Sequence, residues 1–489
     1  MTGAFAQLRT PTRRNAELLM LLFSVMIVIA AEAAVEAAHD GHLSAHLATY
    51  AAVPITIGVI THLVIRRVAP YADPLLLPIA VLLNGLGLVM IHRLDLGEQQ
   101  QAKDAGTTFG AQAPTQVLWT VIGVGLFIAL IVFIRDHRAL QRYAYTLALI
   151  GLVFLLLPAL LPARFSEVNG ARIWIRLAGF SIQPGEFAKI LLTIFGAAYL
   201  VAKRDVLSLA GRRIGFATKK RFVGFDLPRG RDFGPVLAAW LICIAVLVRG
   251  HDLGTSLLFF GLFIVLLYVT TERVSWVIIG VLLFAAGAYL SYQLFGTVQT
   301  RVAIWLHLFD TSSPATDPTH CLSPAYVHCS SGYQMRQSLF GLGTGGIFGT
   351  GLGGGHPELV PLPATDFIMS SFGEETGLFG VVGLLVLYAL FVARGLAAAL
   401  AVRDSFGKLF ATGLSFLMAL QLFVVVAGVT RLLPETGLTT PFLSYGGSSL
   451  LANWVLLALL LRVSDAARRP ATTPPPPPVA AAEPVGVTA

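Results

Sequence analysis

The sequence predicts an all-α integral membrane protein, a polytopic bundle of about twelve transmembrane helices. Three observations predict it. Hydrophobic residues fill 56% of the 489 positions and charged residues only 12%, about half the charged share of a soluble domain. Apolar runs of spanning length recur; each needs roughly 20 residues, because lipid offers backbone N–H and C=O groups no partner and a helix satisfies them internally. The basic residues also gather on alternate connections, the pattern of a chain with a fixed inside.

The runs lie at 18–37, 47–65, 74–92, 116–134, 143–161, 185–202, 234–249, 253–270, 274–293, 367–393, 407–430 and 441–463. The first is too long and too late for a cleaved signal peptide, and Glu32 and Glu36 interrupt its apolar character; it is read as a true span. The segment 203–233 holds nine basic residues (Lys203, Arg204, Arg212, Arg213, Lys219, Lys220, Arg221, Arg229 and Arg231) against three Asp, which places it in the cytoplasm. Alternation then puts both termini inside. Arg9, Arg13 and Arg14 precede the first span, Arg462 stands at the end of the last, and Arg468 and Arg469 follow it. The connection 294–366 falls outside, carrying Arg301 and Arg336 against Asp310, Asp317, Glu358 and Asp366. Topology thus accounts for the net charge of +8, and no nucleic acid is expected as a partner. The tail from Pro470, rich in Pro and Ala, cannot bury a core and is expected to be disordered.

Of the three cysteines, Cys243 lies within a span as a small apolar residue. Cys321 and Cys329 flank Pro324 in the outer loop, where the compartment permits a disulfide. His320 and His328 beside them offer the alternative of a Cys/His metal site, although the spacing matches no usual zinc pattern. The disulfide is the expectation, and no metal ligands are assigned.

Several outer stretches carry polar chemistry. ARFSEVNGARIWIRLAGFSIQPGEFAK breaks the charge rule with Arg164, Arg172 and Arg176. Arginine forks suit phosphate, and Trp174 among them offers an interfacial ring, so a lipid-linked phosphate suits the loop as well as plain headgroup snorkelling does. Glu186 and Lys189, three apart, share a helix face, either as a functional intramembrane pair or as a self-neutralised bridge. The turn VRGHDLGTS gathers Arg249, His251 and Asp252. In the glycine-dense stretch Gly341-x-Gly343-x-x-Gly346 formally matches a dinucleotide fingerprint, but no strand precedes it and no βαβ unit is available. Ser448 and Ser449 follow Gly446 and Gly447 without a nucleophile-elbow pattern, and are expected to satisfy backbone or line a polar groove.

Asp366 stands out. It closes the outer loop at the entry to a span, where it is either an ordinary helix cap or a general base. Glu358 upstream, with Glu374 and Glu375 downstream, would raise its proton affinity, as a base acting on a sugar hydroxyl requires.

In their order, NGARIWI…IQPGEFAK, HDLGTS, YQMRQSLFGLGTGGIFGTGL, PATDFIMSSFGEETG and PFLSYGGSSL resemble the SEDS family (shape, elongation, division and sporulation) of bacterial cell-wall polymerases. The resemblance covers residues 74–463 and implies a ten-helix core. It leaves a two-helix extension at 1–73, of the kind seen in actinobacterial elongation-type members, and a Pro-rich tail at 464–489. It further implies a glycosyltransferase that polymerises lipid II at the outer face of the bacterial cytoplasmic membrane, beside a class B penicillin-binding transpeptidase. Asp366 matches the family's essential aspartate and Glu358 the acidic residue before it. Two positions depart from the pattern. Ile173 precedes Trp174 where a basic residue is common, and Thr436 stands where some members carry Lys, which moves those cationic roles to Arg172, Arg176 or Arg431. The expected substrate contacts are Glu358, Arg172, Trp174, Arg176, Lys189, Arg249, Arg301 and Ser448, with a divalent cation, Mg or Mn, as an optional helper. A flippase for the same precursor, a division-type polymerase and a non-catalytic scaffold are the alternatives.

Overall fold

A computed structural model describes residues 12–41, 46–168, 171–177, 180–209, 212–218, 221–227, 241, 253–309 and 331–470. The longer helices are α1 (Arg14–Asp40), α2 (His46–Val68), α3 (Leu76–Asp104), α4 (Ala113–Phe133), α5 (Ala144–Leu160), α6 (Gly185–Leu209), α7 (Leu253–Thr271), α8 (Val274–Leu294), α9 (Gly296–His307), α10 (Ser331–Gly345), α11 (Ile368–Ala401), α12 (Ser405–Val429) and α13 (Gly447–Arg468). Among the described residues ten helices are long and apolar enough to cross a membrane, and the chain is a multi-pass membrane protein. Two of the twelve expected runs differ. Helix α5 has only 17 residues and carries Pro158 near its end, and the run 234–249 lies almost wholly outside the described residues.

Among the described residues three short antiparallel hairpins interrupt the helices: β1 (Glu167–Val168) with β2 (Ala171–Arg172), β3 (Ile175–Leu177) with β4 (Phe180–Ile182), and β5 (Arg212–Thr218) with β6 (Arg221–Leu227). The last occupies the basic segment that sequence alone reads only as a charged connection. Its Arg, Phe, Val and Ile alternate too weakly among charges to announce strands.

Burial ranks the helices. In α3 and α13, 89% and 83% of the spanning window is buried, against 17% in α8, so α3 and α13 form the centre and α8 faces lipid. Polar groups cross-link the central pair at one end. Asp73, just before α3, accepts bonds from Arg394 of α11 (2.6 Å) and from Arg468 of α13. Asp465 accepts from the Tyr71 amide at 2.9 Å. Buried charges persist in such a setting when each has a partner. The same logic explains Glu32, the carboxylate that argues against a signal peptide: it is buried on α1 and meets His92 Nδ1 of α3 at 2.6 Å.

The glycine-dense stretch is helical as far as Gly345 and then turns tightly, with positive φ at Gly346, Gly349, Gly351 and Gly353. Gly341 and Gly343 lie inside α10 and no strand directly precedes them among the described residues, so the dinucleotide match is empty. The turn lies against α11, which is interrupted at Gly377 (φ 67°, ψ −171°), a backbone region essentially reserved for glycine. Across this break the turn supplies the missing partners. Leu378 N donates to Gly346 O (2.9 Å) and Phe379 N to Ile347 O (3.0 Å), while Thr350 N and Gly351 N donate to Glu374 O and Glu375 O at 3.0 Å. A Cβ on Gly377 would overlap the Gly349 amide.

Candidate active site

The segment 360–367 carries Asp366 and is clamped from two sides. From α10, Gln334 Nε2 donates to Pro361 O at 2.6 Å. From the turn before α13, Tyr445 N donates to Ala364 O at 2.8 Å and Ser444 Oγ donates to Thr365 O. The motifs PATDF and PFLSYGG, far apart in sequence, therefore form one surface. That turn is itself braced: Gln116 of α4 donates to Ser444 O at 3.1 Å, Tyr388 of α11 donates to Pro441 O, and Ser448 Oγ accepts the Gln183 amide at 2.8 Å.

Asp366 does not cap α11. Phe367 occupies the N-cap position and no side chain satisfies that helix end, so the ordinary reading of the carboxylate fails. The side chain is half-buried and accepts a bond from Thr365 Oγ1 at 2.6 Å. Burial, and then the neighbouring Glu435 carboxylate, push its pKa up from 3.8 to about 7. Both causes act by disfavouring the charged form.

Glu358, expected as the acidic neighbour, turns elsewhere. Its carboxylate is buried between Arg93 of α3 (3.3 Å) and the exposed ring of His356 (3.0 Å). Arg93 also bonds Glu375 Oε1 at 2.7 Å and Gly355 O at 2.6 Å, while Glu374 Oε1 accepts the His356 amide at 2.7 Å. The three carboxylates of that region thus anchor the glycine turn. The carboxylate beside Asp366 is Glu435 instead.

Arg301 of α9 lies near this pair, with Nη1 3.4 Å from Glu435 O, and a Cβ on Gly437 would stand 3.6 Å from Glu435 Oε1 and 3.8 Å from Arg301 Nη2. Arg431, the suggested substitute cation, is occupied: it donates to Trp305 O (2.7 Å) and Leu306 O (3.0 Å) and fixes the turn to α9. Lys189 is buried and held by Glu186 Oε2 (2.5 Å) and Gln421 Oε1 (2.8 Å), and Gln421 passes on to Thr439 O at 2.8 Å. This is the self-neutralised bridge, tying α6 to α12 and to the turn. Arg172 on β2 and Arg176 on β3 are exposed, with Trp174 half-buried between them. Arg249, His251, Asp252, Cys321 and Cys329 lie outside the described residues. Among the described residues no group of three His, Cys, Asp or Glu side chains is placed to hold a metal ion.

Comparison with known proteins fits this arrangement. Peptidoglycan glycosyltransferase RodA of Mycobacterium tuberculosis is 53% identical over 458 residues, 94% of this chain and 92% of that one. A probable peptidoglycan glycosyltransferase FtsW from a Geobacter species is more distant, 35% identical over 82% of this chain and 99% of its own. Among solved structures, a chain of a peptidoglycan synthase complex that coordinates polymerization and crosslinking is 26% identical, with a TM-score of 0.58, covering 82% of this chain and 99% of that one. The rod shape determining protein RodA of Thermus thermophilus shares the fold at 23% identity and a TM-score of 0.51, covering 82% of this chain and 98% of its own. The model for FtsW, RodA and SpoVE, described as cell cycle protein, matches residues 74–469, so the chain belongs to that family.

Proposed function

We propose that this chain is a peptidoglycan glycosyltransferase of the elongation type, polymerising lipid II at the outer face of the cytoplasmic membrane with Asp366 as general base. The observation that carries the reading is the Asp366 carboxyl: half-buried, excluded from capping, and raised in proton affinity on a loop clamped between two family motifs. A base with a pKa near the working pH is the most effective kind.

In the reaction the 4-hydroxyl of one sugar attacks the anomeric carbon of another. A new C–O bond forms, the bond from the anomeric carbon to the lipid diphosphate breaks, and the hydroxyl proton passes to Asp366. Charge grows on the departing diphosphate, and preorganised cations at that point contribute most to such transfers. Arg301 beside the carboxylate pair and the exposed Arg172 and Arg176 are the candidates. A class B penicillin-binding transpeptidase is the proposed partner, supported by the synthase complex among the solved relatives.

A flippase would use intramembrane polar groups at a broken helix, and α11 is broken at Gly377. The carboxylates there, Glu374 and Glu375, are already engaged by the His356 amide and by Arg93, which favours catalysis over transport. Fluorescent lipid II in detergent micelles, where no leaflet exists to be crossed, tests the choice. Glycan strands should form and resolve as a ladder on electrophoresis, whereas unchanged lipid II would reject the reading.

A further inference from the structure

An apolar groove of about 580 Å³ runs between α1, α3 and α11 and takes no lining residue from the Asp366 loop. It is long and thin. Along α3 the lining extends from Leu75 to Arg93, and along α1 from Met20 to Val35, about 27 Å and 22 Å at the helical rise. That volume over that length gives a mean bore of about 21–26 Å². A helix with its side chains is about 10–12 Å across and takes about 80–110 Å², whereas a hydrocarbon chain at a contact spacing of about 4.5 Å takes about 20 Å². The groove is cut for one chain, and a helix cannot enter it.

Its chemistry agrees. Three of the lining side chains are polar, and each is engaged within the protein: Ser24 Oγ donates to Pro78 O (3.2 Å), Thr376 Oγ1 to Phe372 O (2.6 Å), and Arg93 to Glu375 and Gly355 O. The walls are fixed, since Ser24 and the Glu32–His92 pair (2.6 Å) hold α1 to α3. Phe23 and Phe379 line the groove and are exposed, which opens it sideways to lipid. A bilayer supplies little hydrophobic drive to close such a space, so a lipid chain fills it. Length decides which one. The hydrocarbon core is about 30 Å thick, so an acyl chain of one leaflet covers about 15 Å, little more than half of the groove. A polyprenyl chain is longer than a leaflet is deep.

We infer that this groove seats the polyprenyl chain of a lipid-linked sugar, with α1 supplying one wall. The inference rests on the polymerase reading, since lipid II is such a molecule. Phe372, the outermost α11 residue of the lining, follows Asp366 by six residues, which puts the head of a seated lipid at the boundary where the proposed base stands.

Gly383 gives the test its plug. It lines the groove, a Cβ there would meet nothing within 4 Å, and it lies roughly 16 Å deeper than Phe372, past the reach of an outer-leaflet acyl chain. Gly383→Leu therefore blocks the inner half without crowding the protein. Val386→Phe, at an exposed position of the same helix, is the control. For the full-length proteins, KM and kcat are measured with lipid II bearing its full chain and with an analogue of about four isoprene units. Wild type should bind the long chain about tenfold better, through the packing contacts of its inner half. Gly383→Leu should erase that preference by raising the long-chain KM about tenfold, with kcat and the short-chain KM within about twofold of wild type; Val386→Phe should keep it. An unchanged long-chain KM in Gly383→Leu overturns the inference. So does a fall in kcat for both lipids at an unchanged KM ratio, the mark of a structural defect. Photolabelling with a diazirine-bearing polyprenyl diphosphate needs no turnover and separates the two claims. Label on the α1 and α11 peptides, lost in Gly383→Leu, supports the groove even where wild type forms no glycan, a result that would remove the polymerase reading alone. Label displaced as readily by phospholipid as by unlabelled polyprenyl diphosphate assigns the groove to bulk lipid and overturns the inference.

Discussion

Asp366→Asn is expected to lose lipid II polymerisation by about 10²–10⁴-fold, roughly 3–5 kcal/mol of barrier, while keeping its fold. Asn preserves the size of the side chain and can still receive the Thr365 hydroxyl through its amide oxygen, but it cannot take a proton. Because Asp366 does not cap α11, no helix end is weakened. Removing a half-buried carboxylate that sits against Glu435 also relieves repulsion, so the melting temperature should hold or rise. A variant that folds and polymerises at the wild-type rate would make the carboxylate incidental.

The second large effect falls on stability. Arg93 is 5% exposed and its partners Glu375 and Glu358 are 0% and 8% exposed, so Arg93→Met strands two carboxylates in a low-dielectric interior. Breaking a buried pair by removing one partner costs about 3–5 kcal/mol. The Gly355 carbonyl loses its donor as well, and with it the glycine turn loses its hold on α3. Thermal unfolding in detergent should show a clear drop in midpoint. Arg93→Met with Glu375→Gln should recover part of it, because contacting groups are coupled and one stranded charge is gone. An unchanged midpoint in the single variant would mean that the clamp carries no weight.

What could be read in advance follows from the physics of each feature. Spanning helices announce themselves through uninterrupted apolar runs, and ten of the twelve expected runs are helices of spanning length. The short hairpins β1–β2 and β3–β4 and the basic hairpin β5–β6 gave no such signal, since two- and three-residue strands and a charge-laced pair lack a clean period of two. At the candidate site, Asp366 could be singled out because a carboxylate at a span entry stands out against apolar sequence. Glu435 was not. It lies on the far side of α11 and α12, and only the fold brings it to Asp366; the one trace was the polarity of PETG between two spans. Proximity in sequence suggested that Glu358, Glu374 and Glu375 cluster with Asp366, whereas Arg93 from α3 engages Glu358 and Glu375 and the His356 amide engages Glu374. For Glu186 and Lys189 the spacing already offered the self-neutralised pair, and Gln421 completes it.

The acid limb of wild-type polymerisation most directly tests a base with suppressed acidity. Asp366 must be ionised to accept a proton, and its pKa is raised to about 7, so activity is present above that value and lost as pH falls through it. Lipid II turnover measured from pH 5 to 9 should therefore show a limb centred near 7, absent from any residual rate of Asp366→Asn. A wild-type rate that stays level down to pH 5 would contradict the account, because no carboxyl with that proton affinity could then be taking the proton.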